Sequence, residues 1–568
     1  MESKSATQAE VALVNGRIYT VDERQPWAEA VAIRAGRFIA VGSTAEIQRH
    51  VGPSTRVADL GGRFAMPGVY DMHTHPDLAL APKYSNQLDV AGDPTPEQLA
   101  AAIRSYAAEH PGDRWIYGKQ FVWFTFRKQR VAVNRQWLDS ILPDRPIAIH
   151  DRSWGSLLVN SKALALAGID ANTPDPGNGY IERDALTGEP TGILVDGAYS
   201  LIYRVMPPPP AAALQRAYRD ALHFQASRGV VGVKYVHVCE HRLDALHALD
   251  TRGLLTARVE AAISWQDDIF PVRRRWELMA GARHYYRSRR LNANAVKFHF
   301  DGTHEARSAY LATAWKEGDL WRGHLNLTPE HLADLITQMD REGIRVIAHC
   351  TGDGASDVFL DAVAEARRRT GSARVRHQCA HCTLLLDRNL KRFAELEVIA
   401  EFSPVGWVPG PFAYARRDAY GEDRMRRAYN FKGVLDAGGI AVMGTDWPVS
   451  ALDPWIGFEG MVTRRDATAP ELGAFYGEPI SLEAAIRVMT WNGAWSMGLE
   501  HEAGSITTGK RADLIVLDRN LFETDPAGGI RGARVELTLV DGEPTWDAGR
   551  LLEPLGMTAV WRYPPPQL

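Results

Sequence analysis

Side chains that can bind metal ions recur at the ends of short apolar runs in this sequence. His73 and His75 stand two residues apart in the segment PGVYDMHTH (67–75). Residues at i and i+2 of a strand project to the same face, so both imidazoles can reach one metal ion. Four more side chains that can bind a metal stand at the ends of later apolar runs: Lys297, His349, His381 and Asp446. Core packing explains any single histidine, but the whole set predicts a metal centre.

Two more donors follow the lysine. The segment FHFDGTHEAR (298–307) contains His304 and Glu305, where a loop could fold over the metals. Imidazole and carboxylate groups at this position could fill open coordination positions. The segment is not the His-Glu-x-x-His zinc motif, because Ser308 occupies the second histidine position. A solvent-exposed polar loop is the alternative interpretation, and His324 is a weaker candidate of the same kind.

These side chains need a scaffold that brings strand ends together. Short apolar runs alternate with helix-like amphipathic segments through the middle of the chain, as in 230–233 followed later by 329–342 and 346–349. This alternation predicts a parallel sheet, and eight such units close into a barrel with its active site at the strand C-termini. We therefore predict an α/β fold, a (β/α)8 TIM barrel over residues 67–502.

Two other regions of the sequence lack this alternation of strands and helices. Residues 84–210 lack the strand–helix alternation and end in four consecutive prolines, which predicts an insertion that covers the barrel mouth as a lid. Both ends of the chain contain short strands separated by glycines. They predict one composite β-sandwich domain built from residues 1–66 and 503–568.

Composition excludes several classes of protein. The 568 residues carry a net charge of −4, which argues against a general nucleic-acid or membrane-surface binder. No stretch approaches the roughly 18 apolar residues of a membrane span, and no signal peptide is visible. Four cysteines do not form a disulfide framework, so we expect a cytoplasmic location.

With these motifs the sequence resembles the amidohydrolase superfamily, and within it the long-chain branch that includes N-substituted formamide deformylases. The resemblance includes LVNGRIYT (13–20), VNSKAL (159–164), TGEPTGIL (187–194) and GKRADL (509–514). It implies two divalent metal ions and assigns every ligand by position. The first site would comprise His73, His75 and Asp446, the second His349 and His381, with Lys297 as a carboxylated bridge.

The lysine segment departs from that branch, which usually has small or apolar residues where His304 and Glu305 stand. The departures resemble the TIM-barrel non-haem diiron monooxygenases, which include an enzyme of platensimycin and platencin biosynthesis. Additional donors favour six-coordination, and mixed imidazole and carboxylate ligation suits iron. This resemblance implies Fe(II), O2 and an external reductant supplied by a separate reductase. The expected substrate is a bulky, terpenoid-like molecule of secondary metabolism, with a coenzyme A thioester as one form.

The alternative hypothesis is a hydrolase. There, zinc-bound hydroxide attacks an amide, an N-substituted formamide or a related C–N bond, and Asp446 carries the proton to the leaving nitrogen. The sequence favours the monooxygenase, with Asp446, His304 and Glu305 as catalytic candidates, and a non-catalytic binding protein is the least favoured reading.

Aromatic residues are candidates for a pocket around a bulky apolar substrate. They are Trp123 and Phe124 in the predicted insertion, and Trp407 and Trp447 after later strands. Ordinary core packing is the alternative for most of them. We expect a small molecule as the partner, and a homodimer as the assembly.

Overall fold

The computed structural model describes residues 8–568 except 85–87, 91–93, 122, 152–154, 177–178, 266–274, 305, 372–373, 404–407, 409–410, 467, 562–564 and 566–568. Eight parallel strands form its central sheet in the order of the sequence. We refer to them as the first to eighth barrel strands: Val69–Thr74, Val230–Val238, Arg258–Ser264, Leu291–His299, Arg345–Cys350, Gln378–His381, Ile399–Phe402 and Ile440–Met443. The two edge strands meet where the Asp446 backbone N–H donates to the His73 carbonyl at 2.7 Å. The predicted TIM barrel is confirmed.

Helices surround this sheet and alternate with its strands. Pro329–Glu342 begins with Thr328, whose side chain accepts from the His331 backbone N–H, and ends at Gly343 with φ 69°. Such an N-cap contributes about 1 kcal/mol and explains why this helix starts where the sequence predicts. The other helices from residue 211 to 502 are Ala211–Ser227, Glu240–Asp250, Arg275–Tyr285, Asp353–Thr370, Leu390–Glu395, Pro411–Tyr420, Glu422–Met425, Phe431–Asp436, Pro454–Thr463, Leu482–Met489 and Trp491–Ser496.

The interior of the barrel is narrow and apolar below its C-terminal end. Small and branched residues from neighbouring strands form this layer: Val236, Ala262, Ala295, Ile347 and Ala380. Inward positions alternate along a strand, so Lys297 and His299 lie above Ala295 on the fourth strand. The apolar layer therefore forms the floor under the polar residues at the strand ends.

Residues 84–210, which we call the insertion, contain a six-stranded mixed sheet of their own. Its strands, in spatial order, are Gly179–Arg183, Pro190–Asp196, Ser156–Val159, Ile147–Asp151, Ile116–Phe121 and Leu88–Asp89. Helices Pro96–Glu109, Trp123–Lys128, Arg135–Asp139, Ser161–Ala167 and Ser200–Tyr203 accompany this sheet. The sequence predicted an interruption of the barrel here but not this sheet.

Both ends of the chain meet in two further sheets. A four-stranded sheet has the order Arg37–Gly42, Ala30–Arg34, Val11–Val14, Arg56–Asp59. A six-stranded sheet has the order Glu543–Asp547, Val535–Val540, Leu514–Leu517, Phe64–Pro67, Arg17–Tyr19, Trp27–Ala28. Their apolar faces share one core, which contains Leu13 and Ile33 from one sheet and Val516 and Leu539 from the other. Among the described helices, none combines the length and apolar character needed to cross a bilayer.

Candidate metal centre

A small cavity of about 50 Å³ opens at the C-terminal ends of the barrel strands. Histidines, one lysine and two aspartates dominate its wall. The described residues that line it are His73, His75, Leu78, Gly155, Asp196, His237, Lys297, His299, Thr303, His349, His381, Asp446, Pro448 and Val449. All six ligands assigned by resemblance are therefore in this one cavity.

His73, His75 and Asp446 form the first compact group of donors. Their nearest ligand atoms all lie within 4.8 Å of one another. Asp446 Oδ1 is 3.5 Å from His75 Nε2 and 3.9 Å from His73 Nε2. The two histidines come from the end of the first strand and Asp446 from just beyond the eighth, so closure of the barrel brings them together.

Glu401 on the seventh strand holds two of the predicted ligands, and sequence reasoning missed it. Its Oε2 is 3.1 Å from His73 Nδ1 and accepts the backbone N–H of His381 at 2.9 Å. A carboxylate on the second ring nitrogen fixes the tautomer of a metal-binding histidine and leaves Nε2 to face a metal. The same side chain also completes a second donor group with His73 and His381.

Lys297, His349 and His381 lie on neighbouring strands on the other side of the cavity. The ring centroids of His349 and His381 are 4.4 Å apart, and His381 Nδ1 is 3.7 Å from Asp446 Oδ2. His349 Nε2 is 3.2 Å from the Gly302 carbonyl oxygen. The structure thus brings the lysine and the two later histidines to the wall of the same cavity.

Two further histidines line the cavity and were not singled out from the sequence. His237 ends the second strand, and His299 follows Lys297 at i+2 on the fourth. Their rings stack with centroids 4.8 Å apart, and His299 is 4.6 Å from His349. The i+2 spacing from Lys297 was the available signal for His299, the same signal that identified His73 and His75.

Burial favours the neutral form of four of the histidines in the cavity. It lowers the pKa of four imidazoles well below their usual 6.5, and positively charged neighbours add to the effect; the four are His73, His237, His349 and His381. Burial also raises the pKa of Glu401 to about 8. A neutral imidazole offers a nitrogen lone pair, which is the form that binds a metal.

The backbone is strained at several of these positions. His237, His381 and Asp446 have φ values of 58°, 73° and 52°, a region that non-glycine residues seldom adopt. Next to them, a Cβ on Gly444 would lie 2.3 Å from the His73 Cβ, so only glycine permits this approach of the first and eighth strands. Strain of this kind persists where the fold holds functional side chains in place.

The predicted additional donors lie elsewhere or outside the described residues. His304 is buried, but its Nδ1 accepts from Arg416 Nε at 3.3 Å and its ring packs 5.8 Å from Tyr420. It is not among the described residues that line the cavity. Glu305 lies outside the described residues. His324 lies at the edge of the site, with Nε2 3.4 Å from Asp196 Oδ2.

Neither Trp123 nor Trp447, the two predicted pocket aromatics whose side chains the structure describes, is among the residues that line the cavity. The Trp123 indole N–H donates to Ser156 Oγ at 3.2 Å within the insertion. Trp447 is nearly buried in the main core, and its carbonyl accepts the His75 backbone N–H at 2.8 Å. Trp407 and the Phe124 side chain lie outside the described part of the structure. Leu78, Pro448 and Val449 supply apolar surface in the cavity instead.

The donor set fits a divalent metal. His73 Nε2 is buried and makes no hydrogen bond within the described part of the chain. An unsatisfied buried nitrogen is costly unless a ligand completes it. Imidazole and carboxylate donors in this arrangement are those that zinc and iron accept.

Comparisons with known proteins agree with the fold. Residues 56–546 match the model of the amidohydrolase family, Amidohydro_3. The N-substituted formamide deformylase of Arthrobacter pascens is 28% identical over 561 residues, covering 93% of this chain and 97% of that protein. The structure of an uncharacterized metal-dependent hydrolase from Pyrococcus furiosus is 25% identical, with a TM-score of 0.67, over 91% of this chain and 99% of that one.

Proposed function

This chain belongs to the amidohydrolase family, and we propose that it is a metal-dependent hydrolase that cleaves the C–N bond of an amide, with an N-substituted formamide as the favoured substrate class. The observation that carries the proposal is the compact group formed by His73, His75 and Asp446 at the barrel mouth. The relative named as a formamide deformylase, which is matched over almost its whole length, supports the substrate class.

We propose the ligand assignment that the sequence resemblance implied. His73, His75 and Asp446 would hold one metal ion, and His349 and His381 a second, with Lys297 between them. A metal in such a site supplies a water of lowered pKa and polarises the scissile carbonyl. Zinc is the favoured ion because the donors include four imidazoles and the proposed reaction needs no redox change.

Asp446 is the group that moves the proton. Its carboxylate lies between three imidazoles, 3.5 to 3.9 Å from their nitrogens. It accepts a proton from the attacking water as the C–O bond forms and donates that proton to the leaving nitrogen as the C–N bond breaks. Glu401 contributes by holding His73 in one tautomer.

The cavity size favours a small acyl group. A volume of about 50 Å³ has room for only a few water-sized groups besides the side chains. The carbonyl carbon of a formamide bears only a hydrogen in addition to its oxygen and nitrogen, so its acyl group is small. The nitrogen substituent would then extend toward Leu78, Pro448 and Val449, which are the apolar part of the wall.

The test is hydrolysis of N-benzylformamide by protein stripped with a chelator and then reloaded with zinc. We expect formate and benzylamine in equal amounts, without oxygen, and only after reloading. Product that forms without metal, or no cleavage of any amide or formamide by the reloaded protein, would overturn the proposal.

The second candidate is the non-haem diiron monooxygenase expected from the lysine segment. The observation that favours it is the presence of His237 and His299 in the cavity, which raises the number of imidazoles to six. Neither relative reported above is named as an oxygenase. Iron-loaded protein that forms a hydroxylated product only with O2 and a reductant would support this candidate and exclude the hydrolase. His304→Ala would then leave the reaction intact, since His304 contacts Arg416 rather than the cavity.

A further inference from the structure

The insertion contributes a carboxylate to the metal cavity. Asp196 is the last residue of the strand Pro190–Asp196 and lines the cavity together with Gly155. It is only 4% exposed. A buried carboxylate must be held by neighbours or used by a ligand, because its desolvation is costly.

His324 pairs with this carboxylate from the barrel side. His324 Nε2 is 3.4 Å from Asp196 Oδ2, and the His324 backbone N–H donates to the Ser308 carbonyl at 3.1 Å. Burial by itself would lower the pKa of His324, but Asp196, helped by Asp301 and Asn326, raises that pKa above 6.5. The pair therefore links the insertion to the loop that follows the fourth strand.

Asp196 is kept at a backbone conformation that suits glycine better. Its φ is 49° and its ψ is −132°, and its backbone N–H donates to the Gly155 carbonyl at 3.0 Å. A Cβ on Gly302 would lie 2.8 Å from Asp196 Oδ2, so the carboxylate rests directly on that glycine. An aspartate held in a strained conformation at a cavity wall indicates a use for its side chain.

The two carboxylates of the cavity have different neighbours. Asp446 lies among His73, His75 and His381. Asp196 rests on Gly302, whose carbonyl oxygen is 3.2 Å from His349 Nε2. The two carboxylates therefore line one cavity but come from different elements and have different neighbours.

We propose that Asp196 is a specificity-determining residue that accepts a hydrogen bond from the N–H of the scissile amide, and that His324 positions it. This inference rests on the proposed hydrolase function and names the substrate class more narrowly. The class is amides that keep one hydrogen on the scissile nitrogen. An ester of the same shape places an oxygen lone pair against the carboxylate and is disfavoured.

The two carboxylates have separate roles in proton transfer. The water proton passes through Asp446 to the leaving nitrogen, which departs as the amine. Asp196 accepts a hydrogen bond but takes no proton, so it orients the nitrogen before cleavage. Loss of Asp196 should therefore affect the choice between amide and ester more than it affects turnover in general.

The experiment compares N-benzylformamide with benzyl formate, two probes that differ by N–H against O. Both kcat/KM values and the zinc content are measured for the wild type, Asp196→Gly and Asp196→Asn. Glycine removes the carboxylate and suits the observed φ, while asparagine keeps the shape without the charge. Glu189→Gln is the matched control, a half-exposed carboxylate of the insertion paired with Arg135 at 3.6 Å.

We expect Asp196→Gly to lower kcat/KM for the formamide by about tenfold or more, because hydrogen bonds to charged groups contribute most strongly. The value for the ester should stay level or rise, and zinc content should not change. Asp196→Asn should move the ratio in the same direction by less, and His324→Gln should do likewise. Equal losses for both probes, or no change for either, would overturn the inference.

Failure of the proposed function would give a different result. If the wild type cleaves neither probe, binding of both is measured by calorimetry with the zinc-loaded protein. Tighter binding of the formamide that disappears in Asp196→Gly would keep the inference while the hydrolase proposal falls. Equal binding of the two probes, or no binding of either, would overturn the inference as well.

Discussion

The two ends of the barrel both bury charged and titratable side chains, but they pair them differently. At the N-terminal end, Arg258 contacts Asp513 and Asp541, and Arg345 contacts Glu260 at 2.5 Å. At the C-terminal end, Asp446 is 3.5 Å or more from each of the imidazoles around it. One end of the barrel consists of close ion pairs, and the other of imidazole nitrogens around a cavity.

The difference separates structural from functional burial. A buried cation with a carboxylate at hydrogen-bond distance has its charge compensated by the protein. Neutral imidazoles that point into a cavity have lone pairs available for a ligand. Burial of a titratable side chain therefore does not by itself identify a functional site. The presence or absence of a close partner of opposite charge separates the two kinds of buried group. Substitutions at the two ends should consequently change different measurements.

The largest effect is expected for Asp446→Asn at the cavity end. It removes a proposed ligand and the proton carrier, so kcat for N-benzylformamide should fall by about 1,000-fold or more. The unfolding midpoint in urea should change little, because no close ion pair is lost. Asp436→Asn, on an exposed helix position beside Lys432, is the control. Activity within tenfold of wild type would remove Asp446 from the mechanism.

Arg258→Met tests the opposite end. It leaves Asp513 buried without its close cation, while Asp541 keeps Arg511 at 3.0 Å, and should lower the free energy of unfolding by about 3–5 kcal/mol. The zinc content of the folded fraction should not change. Arg369→Met, at a more exposed ion pair, should lower the free energy of unfolding much less. A loss for Arg258→Met no larger than that of Arg369→Met would contradict the comparison.

Glu401→Gln should weaken metal binding without unfolding the protein. The carboxylate fixes His73 through Nδ1, and loss of such a contact lowers metal affinity by about 10–100-fold. Competition with a chromophoric chelator measures the effect, with Glu395→Gln on the exposed preceding helix as the control. Unchanged zinc affinity would show that His73 does not depend on this contact.

The smallest effect on stability at neutral pH is expected for Lys234, a buried lysine at the N-terminal end of the barrel. Burial lowers its pKa to about 7, while the unfolded chain keeps the ordinary lysine pKa of 10.5. Between these values the unfolded state binds the additional proton, so the free energy of unfolding should rise with pH, by at most about 1.4 kcal/mol per unit.

Lys234→Met should remove this rise. Urea unfolding at pH 7, 8 and 9 measures the difference between wild type and variant, which should shift in favour of the wild type as the pH increases. Parallel pH dependence of the two proteins would mean that Lys234 stays protonated through its contact with Gln378 at 2.7 Å.

The sequence predicted the barrel from local periodicity, and it predicted six of the fourteen described residues that line the cavity from their positions at strand ends and from the family resemblance. The i+2 spacing of His73 and His75, and the position of His349 at a strand end, follow from the geometry of a strand. Glu401 was missed because a lone carboxylate in the run Ile399–Phe402 shows no spacing signal. Its role depends on His73, which lies on the first strand and far away in sequence.

Residues outside regular elements were harder to place. His304 faces Arg416, a contact 112 residues away in sequence, and no local pattern encodes it. The same holds for Asp196, whose position depends on a whole sheet that the sequence showed only as an interruption of the barrel. The periodicity of a short segment predicts on which face of a strand each side chain lies. It does not predict the path of a loop.

The seam that closes the barrel also bears on how the protein is made. His73 meets Asp446 across this seam, and Pro67, just before the first strand, pairs with Leu514 about 450 residues later. At a synthesis rate of roughly 5–20 residues per second, that interval lasts about 20–90 s. Through most of this time the first barrel strand lacks the eighth strand beside it, and with it Asp446, so the first group of donors is incomplete. All of the proposed ligands can therefore hold the ion only once the eighth strand has docked.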